Sequence, residues 1–260
     1  MRLTFSNAVI LEGEELEPVR GSLEIENGRI KSVGGAKRGV NLKGAIIMPP
    51  FVNAHTHIAD YGWKEGYLGR TQPEVVGPAG IKHQVLSRSG TKVGRAVRSA
   101  LESMLRTGTV LHLDFREGGV RGVRFLRELG IQPLKTMILG RGDTRKELRR
   151  VLRIADGIGL PSINTLSEPI IRNIAAVCRQ KRKVFALHVD ETAEEHERSV
   201  EEYGCSELER ALKLKPSFVV HATHASTYEL ELARQAGVPV VFCVRSNFLL
   251  GAGIPPLALA

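Results

Sequence analysis

The chain has 260 residues, 42% of them hydrophobic, and a formal net charge of +9. That size suffices for one large α/β domain, with or without a small appendage. The basic residues are mixed with acids along helical stretches such as 145–150 and aromatics make up only 5%, so a solvated basic face is expected rather than a nucleic-acid interface. No run of about 18 apolar residues and no basic-then-apolar leader occurs, so neither a membrane span nor a signal peptide is expected. Cys178, Cys205 and Cys243 are widely spaced, which argues against a disulfide scaffold or a Cys-based zinc finger and suits a reducing cytoplasm.

Residues 1–47 read as short strands: one over 3–11, then 22–26 and 29–33 as a hairpin about Asn27-Gly28. From Ala45 the pattern becomes strand then helix, repeatedly. Strands are predicted at 45–54, 110–115, 132–139, 157–164, 183–189, 217–222 and 239–244, and helices near 91–107, 119–129, 144–156, 168–181, 205–213 and 227–236. In the first helix Val93, Val97, Ala100, Leu101, Met104 and Leu105 share a face, and Gly108 stops it. Between 58 and 90 lies a long Gly- and Pro-bearing stretch of the kind that forms a lid or binding loop. Such an alternation fits parallel β/α units in a barrel or an open sheet, and no glycine-rich phosphate loop follows the first strand.

In a barrel, function collects at the carboxyl ends of strands. The first strand ends in His55-Thr56-His57, where alternation turns both imidazoles to one point, as in two thirds of a three-ligand catalytic zinc site. The second ends in Asp114-Phe115-Arg116-Glu117, the fifth in His188-Val189-Asp190-Glu191, the sixth in His221-Ala222-Thr223-His224 and the seventh in Arg245-Ser246-Asn247. Five of the eight histidines fall at such ends, a clustering that points to a metal site.

Asn53-Ala54-His55-Thr56-His57, His188-x-x-Glu191, His221 and the run from Arg245 to Pro256 together resemble the amidohydrolase superfamily, within it the cytosine/guanine/adenosine-type deaminase and chlorohydrolase group. The resemblance implies a (β/α)8 TIM-type barrel, here with about seven strands over 48–260, and a small β-sandwich portion over 1–47. It implies that His55, His57 and His188 ligate one divalent metal, zinc foremost and iron as the alternative. Glu191 is then the proton shuttle, and His221 polarises or deprotonates the attacking water. The group also carries an aspartate ligand after an eighth strand. No aspartate follows Asn247 before the sequence ends at Ala260, so a fragment or a naturally short copy is expected. Asp114 and Asp190 are poor substitutes, although Asp190 could share His188's side by alternation. The fourth strand carries no lysine to bridge two metals, which favours one.

The expected activity is hydrolysis of a non-peptide carbon–nitrogen bond, foremost deamination of a nitrogen heterocycle. Hydrolysis of a cyclic amide or imidazolone and a degenerate, non-catalytic barrel are the alternatives. Trp63, His83, Arg116, Glu117, His224, Arg245 and Asn247 are candidate substrate contacts; Tyr67 and Lys82 join Trp63 and His83 on the long loop. Each has a plainer reading: Trp63 and Tyr67 as packing anchors, Arg116 and Glu117 as a pair, Arg245 and Asn247 as loop caps. For His224 the plainer reading is a hydrogen-bonded barrel-top residue. The expected partner is a small molecule, without nucleic acid or membrane, and self-association as a homo-oligomer is left open.

Overall fold

The computed structural model describes residues 1–77, 80–82, 90–129 and 133–259. It divides into two compact units, Met1–Phe51 and Val52–Ala260.

In the first unit, β1 (Arg2–Glu12) pairs antiparallel with β2 (Glu17–Glu26), which pairs antiparallel with β3 (Arg29–Val33). The short strands β4 (Val40–Asn41) and β5 (Ile46–Ile47) run parallel to β1. Asn27 and Gly28 both take positive φ, 52° and 74°, which fits the two-residue turn that the right-handed strand twist favours. Ala8, Ile10 and Leu23 form its core. The strand predicted at 22–26 starts five residues earlier, because Glu17 to Gly21 complete the ladder with β1. The single strand predicted over 45–54 is two. Ile46–Ile47 pairs within this unit, Met48-Pro49-Pro50 interrupts, and β6 (Phe51–Thr56) begins the second sheet. Prolines lack the N–H a ladder needs, so the break falls there.

The second sheet has seven strands in sequential order: β6, β7 (Thr109–Arg116), β8 (Lys135–Gly140), β9 (Gly157–Leu160), β10 (Val184–Val189), β11 (Phe218–His221) and β12 (Val240–Val241). The pairs from β7 to β12 are parallel, and the sheet forms a nearly closed TIM-type barrel. Between strands run α1 (Gln72–Val76), α2 (Gly90–Arg106), α3 (Gly119–Leu129), α4 (Arg145–Ile154), α5 (Glu168–Gln180), α6 (Ala193–Tyr203), α7 (Glu207–Leu212) and α8 (Thr227–Gln235), and α9 (Val244–Leu249) follows β12. Alternation sorts the strand side chains. Phe185, Leu187 and Val189 join the cluster that also takes Val97, Ala100 and Leu101 of α2. Leu113, Phe115, Ala186, Phe218 and Val220 fill a second, separate cluster inside the barrel. Gly159 makes room for Phe115, since a Cβ there would come within 2.5 Å of its ring.

Helix starts are strongly signalled. Thr192/Glu195, Ser206/Glu209 and Ser226/Glu229 form capping boxes that open α6, α7 and α8. The first of these opens a helix whose charged sequence, around His196 and Glu197, lacks the apolar stripe that marked the others. The stretch after β6, expected to be irregular, instead holds a 3₁₀ helix (Ile58–Tyr67) and α1. No helix among the described residues is long and apolar enough to cross a membrane.

Candidate metal and catalytic centre

His55 is the fifth residue of β6 and His57 follows its end, so both side chains turn to one side while Thr56 turns to the other. Thr56 Oγ1 lies 3.0 Å from His112 Nδ1, donates to the Leu113 carbonyl, and ties β6 to β7. Ile58 N donates to Asp114 Oδ1 at 2.8 Å, fixing the chain as it leaves the strand. His188 is the next-to-last residue of β10, on the same side as the inward Ala186. The ligating atoms of His55, His57 and His188 all lie within 4.8 Å of one another.

The ring orientations are set from outside. His188 Nδ1 is 2.8 Å from the Leu160 carbonyl oxygen, which can only accept, so Nδ1 bears the proton and Nε2 keeps its lone pair. His57 Nδ1 donates to Glu117 Oε1 at 2.9 Å. The two Nε2 atoms then face each other at 3.4 Å. His55 Nδ1 is buried without a hydrogen-bond partner. Burial, helped by the neighbouring imidazoles, pushes the pKa of His55 and His188 well below the ordinary histidine value, so both rings are neutral. Facing ring nitrogens, an orphaned buried nitrogen and neutral rings are the donor set a divalent cation requires, and the three residues fit one.

Beside this set, His221 stacks on His188 with ring centroids 5.1 Å apart. Strict alternation after the inward Val220 would turn residue 221 to the helices; φ of 76° at His221 and 44° at Ala222 breaks the alternation and brings the ring into the barrel mouth. His221 Nδ1 donates to Asn247 Oδ1 at 3.1 Å, and Asn247 in turn donates to Thr223 Oγ1. That leaves His221 Nε2 as an acceptor, 3.7 Å from Glu191 Oε2. Glu191 Oε2 also accepts from Gln72 Nε2 of α1 at 3.1 Å.

Asp190 does not share His188's side. Its φ of 45° turns the chain at the strand end, and its carboxylate accepts from the backbone of Glu207 and Leu208 at the start of α7 and from His196. Asp114 is also buried, bonded to Ile58 N and to Thr56 Oγ1.

The other candidates scatter. Glu117 joins His57 to Lys82 and Arg141, and Arg116 pairs with Glu117 and Asp114. Trp63 is 38% exposed on the 3₁₀ helix, and Arg245 is exposed on α9. His224 Nε2 donates to the Ala252 carbonyl at 2.7 Å, tying two loops together. Asn247 is fully buried against His221. His83 lies outside the described residues. Cys243 was read only as a free thiol, yet its sulfur lies within 4.8 Å of ligating atoms of His55 and His221. The signal available was its place two residues past β12, where strand ends converge.

Residues 46–260 match the model of the amidohydrolase family. A candidate aminohydrolase of Methanothermobacter thermautotrophicus is 34% identical, over 98% of this chain and 71% of that protein. A 5-methylthioadenosine/S-adenosylhomocysteine deaminase of Halobacterium salinarum is 28% identical, over 88% of this chain and 59% of that protein. Among solved structures, a zinc-complexed atrazine chlorohydrolase of Arthrobacter aurescens superposes with a TM-score of 0.81 at 14% identity, covering 99% of this chain and 69% of that one.

Proposed function

The chain belongs to the amidohydrolase family, and from that premise we propose that it deaminates a nitrogen heterocycle with a single zinc ion held by His55, His57 and His188. The observation that carries the reading is the placement of Glu191 and His221 beside the three imidazoles, with His221 Nε2 3.7 Å from Glu191 Oε2. A single ion is favoured because β9, Gly157–Leu160, has no lysine to bridge a second. A zinc ion held there lowers the pKa of the water it binds to about 7.

The residues divide the remaining work. Glu191 takes the proton of the attacking water and passes it to the heterocycle nitrogen or the departing amine. His221 accepts a hydrogen bond from that water at Nε2, because Asn247 holds the ring with its proton on Nδ1. Oxygen adds to the amine-bearing carbon as hydroxyl, the carbon–nitrogen bond breaks and ammonia leaves; of the two protons of the water, one ends on the ring nitrogen and the other on the ammonia, so a carbonyl remains. Gln72 fixes the Glu191 oxygen that faces His221. Deamination is preferred to other amidohydrolase chemistry on the strength of the deaminase relative, whose named substrates are purine nucleosides.

The test is metal analysis of the purified protein together with an ammonia-release screen over purines, their nucleosides, pyrimidines and triazines. About one zinc per chain and ammonia from at least one azaheterocycle are expected. Ring opening of a cyclic amide or imidazolone without ammonia would replace deamination with that reaction. A metal-free protein inert toward every compound would leave only a barrel that has lost its chemistry.

A further inference from the structure

Glu117 sits at the end of β7, one residue beyond Arg116, where it was expected to touch substrate or to pair with its neighbour. Its carboxylate is instead pinned through one oxygen. Oε1 accepts from His57 Nδ1 at 2.9 Å, from Lys82 Nζ at 2.8 Å and from Arg141 Nη2. Arg116 approaches the other oxygen at 3.6 Å, and Oε2 has no hydrogen-bond partner. Lys82 is itself tethered to Asp60 at 2.9 Å. The groups come from four places in the chain: the stretch after β6, the residues before α2, the end of β7 and the end of β8. All are largely buried, with side-chain exposures of 6% for Lys82, 13% for Glu117 and 20% for Arg141.

Two charged donors, Lys82 Nζ at 2.8 Å and Arg141 Nη2, meet on the same oxygen, a setting that calls for a carboxylate rather than a neutral carboxyl. An ionised carboxylate can only accept, so the His57 proton stands on Nδ1 and Nε2 is free toward His188. A carboxylate in this place fixes both the tautomer and the rotation of a ligating imidazole and raises its basicity. Lys82 and Arg141 also remove freedom from the carboxylate itself: Glu117 cannot follow a movement of His57 without giving up its buried contacts to them.

We infer that Glu117 is a positioning residue for the His57 ligand, clamped by Lys82 and Arg141 so that metal retention depends on the segment before α2 as well as on the barrel strands. The inference rests on reading His55, His57 and His188 as ligands. It gives Glu117 a task other than substrate contact.

The test compares wild type, Glu117→Asp, Glu117→Gln and His188→Ala as full chains. Zinc dissociation constants come from competition with a chromophoric chelator, and melting of the metal-free proteins reports folding. Glu117→Asp keeps the negative charge among the cations but shortens the reach to His57. It is expected to melt near wild type and to bind zinc roughly 10- to 100-fold more weakly, with a shifted visible spectrum after cobalt substitution. Glu117→Gln should lose at least as much affinity. A folded Glu117→Asp protein that binds zinc as tightly as wild type overturns the inference. Nitrogen-15 spectra of the metal-free wild type give a second reading that needs no variant: His57 should be protonated at Nδ1, and the Nε2–H tautomer would overturn the inference as well. Failure of the ligand reading has a different signature, either wild type binding no zinc or His188→Ala binding it unchanged.

Discussion

His57 and His188 face each other across 3.4 Å, yet the two sides of the barrel mouth hold them by different means. His188 leans on a backbone carbonyl, Leu160, and stacks on His221, whose ring Asn247 and Thr223 hold in turn. His57 leans on a carboxylate held among Lys82, Arg116 and Arg141. A carbonyl of the ladder cannot be substituted and does not titrate, so the β10 side is rigid by construction. The carboxylate side is assembled from side chains, and its geometry depends on charges staying paired. One half of the centre is therefore robust to sequence change, whereas the other is exposed to it at several positions at once.

The comparison can be broken most severely at His188. His188→Ala removes the ligand that the backbone orients, and metal analysis should find the zinc lost. Turnover should fall on the order of 10⁶-fold, the low end of enzymatic rate enhancements. Glu191→Gln should keep the metal while kcat drops roughly 10²- to 10⁴-fold, the usual worth of a positioned proton carrier. Normal turnover by that variant would remove Glu191 from the mechanism. Asn247→Ala frees His221 Nδ1 without touching a ligand; kcat is expected to fall about 10²-fold, with zinc affinity unchanged in the same chelator assay.

The smallest effect concerns His112, which joins Thr56 on the first strand to Thr136 on the third. Burial lowers its pKa from 6.5 to about 4. The unfolded chain therefore binds this proton first as pH falls, and the group's effect on stability is absent above pH 6.5 and grows against the fold down to about 4. At pH 5.5 the metal-free wild type should have lost roughly 1 kcal/mol from this source, and denaturant titration of His112→Gln should show that part of the slope missing.

Much of this was legible in the sequence. The H-x-H pair, the His188-x-x-Glu191 spacing and His221 are local patterns at strand ends, and the helix from 90 to 106 buries the face its periodicity predicted. What was hidden is which residues neighbouring elements bring together. Leu160 meets His188, Asn247 meets His221, and Lys82 and Arg141 meet Glu117, at sequence separations set by strand register rather than by any motif. Alternation misled at one strand end, Asp190, which like His221 adopts left-handed backbone. Neither is glycine, so nothing in the residue types announced the turn.

The conformation at His221 has a consequence for how such a protein could be made hardier. An L-residue in that region carries strain on the order of 1 kcal/mol or more, which glycine would relieve. A collection of variants sorted for heat resistance alone would therefore be drawn toward residue 221, and its most durable members would be its least active ones.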